Sequence, residues 1–154
     1  MLNVVLYQPE IPPNTGNNIR LCANTGAILH LVGPLGFVLD DSRLKRAGLD
    51  YRDMANVHTH KNWQSWLEQY PTTPVWAYST RGALKYTEAR MSEGDALLFG
   101  PETRGLPDEI LKQVGSERVL RLPMQDNSRS LNLSNTVAIA LYEGLRQQDF
   151  TGLE

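Results

Sequence analysis

Five short apolar runs punctuate the chain, at 2–7, 28–32, 75–78, 96–99 and 119–122, each closed by Gly, Pro or polar residues. Runs of this length, too short for helices and without alternation, read as strands buried on both faces. Between them the period changes. Trp63, Trp66, Leu67 and Tyr70 follow the i, i+3, i+4, i+7 spacing of an amphipathic helix behind Asn62, a residue suited to cap it. A second helix is expected from about Pro107, with Asp108 and Glu109 complementing its dipole. A last one spans 134–147, with Val137, Leu141, Gly144 and Leu145 on one face. Strands alternating with helices predict an α/β domain around a mainly parallel sheet. At 154 residues without repeat or linker, one domain covering 1–154 is expected.

In such a sheet, ligands sit beyond the carboxyl ends of the strands, so the loops after each run carry the chemistry. Three stand out. The first, 8–20, contains Pro12-Pro13-Asn14-Thr15-Gly16-Asn17-Asn18-Ile19-Arg20, with a first helix expected to begin at Arg20. The second is Gly100-Pro101-Glu102-Thr103-Arg104-Gly105-Leu106-Pro107. The third, 123–135, contains Ser128-Arg129-Ser130-Leu131-Asn132-Leu133-Ser134-Asn135.

Several functions are removed by what these loops lack. Gly100 and Gly105 have P-loop spacing, but Leu106-Pro107 stands where Lys-Ser/Thr would hold phosphate and magnesium. No G-x-G-x-x-G follows a strand, and no G-x-S-x-G elbow is present. His30, His58, His60 and the single Cys22 give no zinc-ligand spacing, so no metal is expected. Cys22 fits a buried thiol in a reducing compartment. With no basic leader and no run near the ~20 residues of a membrane span, a cytoplasmic, soluble protein is expected. The net charge of −2 argues against gripping nucleic acid by bulk charge. The basic residues are nonetheless grouped, at Arg43, Lys45, Arg46 and Arg52 and then His58, His60 and Lys61, for which a solvated face is the plain reading.

The three loops, taken in order and spacing, resemble the SPOUT methyltransferases: N-x-G-N-x-x-R at Asn14 to Arg20, then Phe99 to Pro107, then Ser128 to Asn135. The likeness runs from Met1 to about Arg146. In lacking an appended RNA-binding domain, the chain is most similar to the bacterial members that methylate the ribose of the tRNA wobble nucleotide, cytidine or uridine 34. The resemblance implies a C-terminal trefoil knot, with the third loop threaded. Periodicity alone leads instead to an unknotted sheet. The resemblance also implies S-adenosylmethionine as cofactor, tRNA as substrate, leucine isoacceptors among them, and a homodimer. Methyl transfer from a sulfonium suits loops of this kind, because the methyl is already activated and the reaction needs positioning above all.

By the same resemblance, the cofactor lies against Tyr78, Gly100, Leu122, Met124, Ser130 and Leu131. Arg20, Ser130 and Asn132 are the candidate catalytic residues. Arg20 is a poor general base, since a guanidinium stays protonated, and is better suited to hold a phosphate or to stabilise negative charge on the ribose oxygen. Glu102 and Arg104 are expected to pair as a loop clamp, and Arg129 and Tyr142 are second-rank candidates, with core as the alternative for Tyr142. Trp63, Trp66 and Trp76 are expected in the core rather than stacked on bases. Other readings remain: a ribose methyltransferase acting elsewhere on tRNA or rRNA, a knotted RNA-binding protein without catalysis, or a flavodoxin-like nucleotide-binding module.

Overall fold

The computed structural model describes all 154 residues. In chain order the elements are β1 (Asn3–Tyr7), α1 (Pro12–Thr25), β2 (Ile28–Val32), α2 (Asp41–Arg46), β3 (Val57–His60), α3 (Trp63–Gln69), β4 (Val75–Tyr78), β5 (Leu84–Lys85), β6 (Ala96–Phe99), α4 (Asp108–Val114), β7 (Val119–Arg121) and α5 (Leu133–Gln147). All seven strands form one sheet, ordered β3-β2-β1-β6-β4-β7-β5, and every pairing is parallel.

Both faces of the sheet are covered, as the continuous apolar runs require. Alternate residues of each strand enter different cores: Val4, Leu6, Leu97 and Phe99 meet α1 and α5, while Val5, Ala96 and Leu98 meet α3 and α4. Helix α5 packs tightly on the residue ahead of β1 at Gly144, where a Cβ would lie 2.6 Å from Leu2 Cδ1. Trp66 and Trp76 are buried as expected; Trp63 is half-buried, stacked on Trp66 at 5.1 Å and donating to Gln113 Oε1. Cys22 is buried, which pushes its thiol up to about 12. No helix is long and apolar enough to cross a membrane.

Four elements depart from the reading of the sequence, among them the six-residue α2, which buries no residue and so carries no apolar period. Helix α1 begins at Pro12, so Arg20 lies in its interior and does not open it. The Pro12-Pro13 pair suits a first turn, but the helix buries Asn14, Thr15 and Asn18, and a polar inner face hides the helical period. Strand β3 was concealed by its histidines: Val-His-Thr-His has one apolar residue, and an edge strand needs few. The two-residue β5 carries no pattern at all.

The strand order matters for the site. β7 lies between β4 and β5, which are consecutive in the chain, so the connection 79–83 passes over the end of β7. Ser79 N–H donates to Leu120 O at 2.9 Å, and a Cβ on Gly82 would fall 2.5 Å from Leu120 C. Glycine is therefore required where this crossing connection touches β7.

Candidate functional site

The carboxyl ends of β4, β6 and β7 open into a cavity of about 260 Å³. Tyr78, Gly100, Leu122, Met124, Ser130 and Leu131 all line it, so the structure gathers from three loops the residues expected around the cofactor. Each gets there by a separate local cause. Tyr78 ends β4 and stacks on Phe99 at 4.7 Å between centroids. Its buried hydroxyl has no hydrogen-bond partner, and burial, with Glu143 and Tyr86 adding to it, raises the phenol's pKa, which keeps it neutral. Gly100 follows β6 directly; a Cβ there would sit 2.5 Å from Gly105 C and against Leu106 N. The missing side chain thus lets the second loop fold back on itself, closing one wall. That turn is completed by Gly105, at φ +69°, whose N–H donates to Pro101 O.

Asn132 does not line this cavity. It is the N-cap of α5: its Oδ1 accepts from Ser134 N–H at 2.9 Å and from Asn135 N–H at 3.4 Å, and from the Ser134 hydroxyl at 2.6 Å. Its Nδ2 donates to Asn14 Oδ1 at 3.0 Å, tying the third loop to α1. Arg20 also lies outside the cavity. Its guanidinium is exposed and donates to Gly48 O at 2.6 Å, placing it in a separate cleft between α1 and the α2 segment.

The expected Glu102–Arg104 clamp does not form. Glu102 reaches across to the first loop instead, accepting from the N–H groups of Glu10 and Ile11. The carboxylate thus sits at the positive end of α1 and fixes the two residues that lead into its Pro12-Pro13 first turn, where Ile11 makes no side-chain cap. Glu10 returns the contact, accepting from Thr103 N–H at 2.9 Å and Thr103 Oγ1 at 2.7 Å, and those bonds hold its carboxyl below the usual range. Arg104 extends toward Gln8 and Glu10 rather than Glu102. Two loops are thus clasped by exchanged carboxylates, which two residues 92 apart in sequence gave no reason to expect. Arg129 is exposed, and Tyr142 is 47% exposed near Phe150, so it is not core.

The cavity suits an adenosyl ligand by its lining. Leu122, Met124 and Leu131 offer apolar surface for a purine face, while Ser130 and Thr136 bring hydroxyls. The wall after β6 is mainly backbone at Gly100 and Gly105, where a ligand can approach the main chain closely.

Residues 1–142 match the SpoU rRNA Methylase family. A tRNA (cytidine(34)-2'-O)-methyltransferase of Saccharophagus degradans is 56% identical over 152 residues, covering 99% of each chain. A solved structure described as giving structural insights into the 2-OH methylation of C/U34 on tRNA superposes with TM-score 0.88 at 49% identity, covering 97% of this chain and 91% of that one. An AdoMet-bound rRNA methyltransferase from Sinorhizobium meliloti superposes with TM-score 0.80 at 26% identity, over 94% of this chain and 56% of that one.

Proposed function

The chain belongs to the SpoU rRNA Methylase family, and from that premise we propose that it methylates the ribose 2′-hydroxyl of the tRNA wobble nucleotide, cytidine or uridine 34, using S-adenosylmethionine. The observation that carries this reading is the end-to-end likeness to a cytidine-34 methyltransferase. The convergence of six expected residues on one cavity supports it.

S-adenosylmethionine supplies, when bound, a methyl group activated by its sulfonium. Tyr78, Gly100, Leu122, Met124, Ser130 and Leu131 would hold it, the apolar side chains against the purine and the Ser130 hydroxyl as a hydrogen-bonding group. For this chain's residues the remaining task is at the ribose. The 2′-oxygen must pass its proton to water as it gains the methyl, the sulfonium leaving as a neutral thioether, and negative charge gathers on the oxygen before the bond is complete. Arg20 is the residue for that charge, either directly or by holding the neighbouring phosphate, because a guanidinium remains cationic throughout. Asn132 contributes by fixing the start of α5 against α1, which sets the position of Ser130 and Leu131 just ahead of it.

Two subunits are part of this reading. No residue lining the cavity lines the Arg20 cleft, so an Arg20 from a second copy can complete the site. Met124, Leu131, Ile139 and Tyr142 are large apolar residues 39% to 47% exposed, on the third loop and α5, and they offer the surface for pairing. A tRNA substrate puts the reaction in the cytoplasm.

The test is incubation of total tRNA lacking 2′-O-methylation with labelled S-adenosylmethionine, followed by nucleoside mapping. Label on the ribose of nucleotide 34, leucine isoacceptors included, is the expected result. Label at another tRNA or rRNA position would overturn the wobble assignment, and RNA binding without any label would overturn catalysis.

A further inference from the structure

The cleft that holds Arg20 is larger than the cofactor cavity, at about 660 Å³, and has a character of its own. Its lining includes the buried Ile19 and Leu49 and the half-buried Phe37, Leu39 and Leu44, and three exposed arginines, Arg20, Arg43 and Arg46, stand around it. Neither Arg20 nor Arg46 forms an ion pair; Arg43 approaches Asp40 at 3.7 Å, with both side chains about half exposed. Such an exposed pair adds little stability and leaves the guanidinium available.

Three guanidinium groups around one concavity repel each other, and a chain of net charge −2 has carboxylates enough to interleave them. The concentration of positive charge is therefore local and is matched to an anion. Arginine is the side chain that grips a phosphate with a planar fork. The apolar lining adds a second requirement, since a bare phosphate has no use for it. A nucleotide meets both: a base to lie against the lining and a phosphodiester to lie between the guanidinium groups. The base must be unpaired, because in an A-form duplex its face is covered by stacking.

We infer that this cleft binds an unpaired nucleotide of the substrate RNA strand next to the methylated one, with its phosphodiester between Arg43 and Arg46 and its base against Phe37. This rests on the proposed RNA methylation and extends it. The cleft selects a single-stranded loop over a duplex, and Arg20 in the same cleft keeps that strand in register with the reacting ribose.

The experiment titrates the full-length protein, saturated with S-adenosylmethionine, with a fluorescent anticodon stem-loop RNA at several salt concentrations. In Arg43→Gln/Arg46→Gln, RNA affinity should fall tenfold or more at about 0.1 M salt. The slope of log affinity against log salt should become shallower by about one, the loss of one phosphate contact. Affinity for S-adenosylmethionine, measured in parallel by calorimetry, should be unchanged and reports that the variant is folded. Arg90→Gln/Lys112→Gln removes the same charge from exposed positions outside both the cleft and the cavity; it should retain wild-type affinity. Equal weakening in that control would mean bulk attraction and overturn the cleft. So would wild-type affinity and salt slope in the arginine variant while the wild-type protein still binds and methylates RNA, and that outcome leaves the proposed function standing. A wild-type protein that neither binds nor methylates RNA overturns the function itself.

Discussion

One amide, that of Asn132, bonds the N-terminus of α5 with its oxygen and Asn14 Oδ1 of α1 with its nitrogen, at 3.0 Å across 118 residues. Ser130 and Leu131 immediately precede it and line the cofactor cavity, whereas α1 carries Arg20 on its exposed side. Within one chain, the loop that lines the cavity and the helix that carries Arg20 are therefore tied together through this pair.

Asn132→Asp separates the two roles. The aspartate keeps an oxygen to cap α5, favourably charged for a helix N-terminus, but turns a second oxygen toward Asn14 in place of a donor. Asn132→Ala loses both contacts. Urea unfolding should show Asn132→Ala destabilised by about 1–2 kcal/mol, the usual cost of a lost cap, with Asn132→Asp closer to wild type. Both should lose methylation rate. An aspartate variant as stable and as active as wild type would mean that the Asn14 contact positions nothing.

Gly100→Ala should weaken S-adenosylmethionine binding by tenfold or more, because its Cβ meets Gly105 2.5 Å away and the second loop must move. The damage comes from the loop's own backbone, so even one methyl suffices. Ser130→Ala should be milder, about fivefold, since one neutral hydrogen bond contributes ~1 kcal/mol. Calorimetry on both variants checks the order, and a Gly100→Ala protein with wild-type affinity would remove the second loop from the pocket.

The second and third loops were legible in the sequence as places to meet a ligand because they follow buried strands, whereas Tyr78, Gly100, Leu122, Met124, Ser130 and Leu131 were named through the family resemblance. Much of the frame around them was not legible. Helix α1 has a polar inner face, with Asn14 and Asn18 buried where leucines would have marked the period. The insertion of β7 between β4 and β5 depends on strand order, which local patterning does not encode. The exchange of Glu10 and Glu102 between loops required both loops in place before either carboxylate had a partner. Residue types were readable; which loop each side chain would serve was not.

His30 makes the stability of the fold depend on pH. It is fully buried, with Nε2 at 2.8 Å from Asn3 Oδ1 and Nδ1 at 3.0 Å from His60 Nε2. Because Asn3 Nδ2 donates to Gly94 O, its Oδ1 is the acceptor, so His30 carries its proton on Nε2 and accepts from His60 at Nδ1. A second proton has no place. Burial first, and then His60 and His58, lower the His30 pKa to about 3. The unfolded chain takes up that proton near pH 6.5, the folded one only near 3, so stability present at neutral pH is lost as pH falls through that window. The loss is about 1.4 kcal/mol per pH unit, roughly 2 kcal/mol between pH 6.5 and 5. His60, also lowered by burial, adds to it in the same direction. Urea denaturation at pH 7 and pH 5 should show the loss, reduced in His30→Asn; equal stability at both values in the wild type would contradict it.

Arg20 lies within α1 on its exposed side, is steadied by the Gly48 carbonyl, and belongs to a cleft that the cofactor cavity does not share. Arg20→Ala should therefore leave S-adenosylmethionine affinity unchanged. Methylation of saturating tRNA under single-turnover conditions should fall about a hundredfold or more, the scale for losing one preorganised charge at a reacting oxygen. Arg20→Lys distinguishes how the charge acts. Lysine supplies the same charge at a point, but it lacks the fork that lets arginine keep the Gly48 contact while holding a phosphate or the ribose oxygen. Partial recovery would mean that charge suffices, and no recovery that the fixed plane of the guanidinium is required. If two subunits combine to make the site, a mixture of Arg20→Ala with a Gly100→Ala protein should recover activity, because the mixed dimer contains one site with an intact cavity and an intact Arg20 from the other copy. Two intact groups confined to the same chain would give no such recovery. Wild-type turnover in Arg20→Ala would leave the residue as an exposed helix arginine bonded to Gly48 and nothing more.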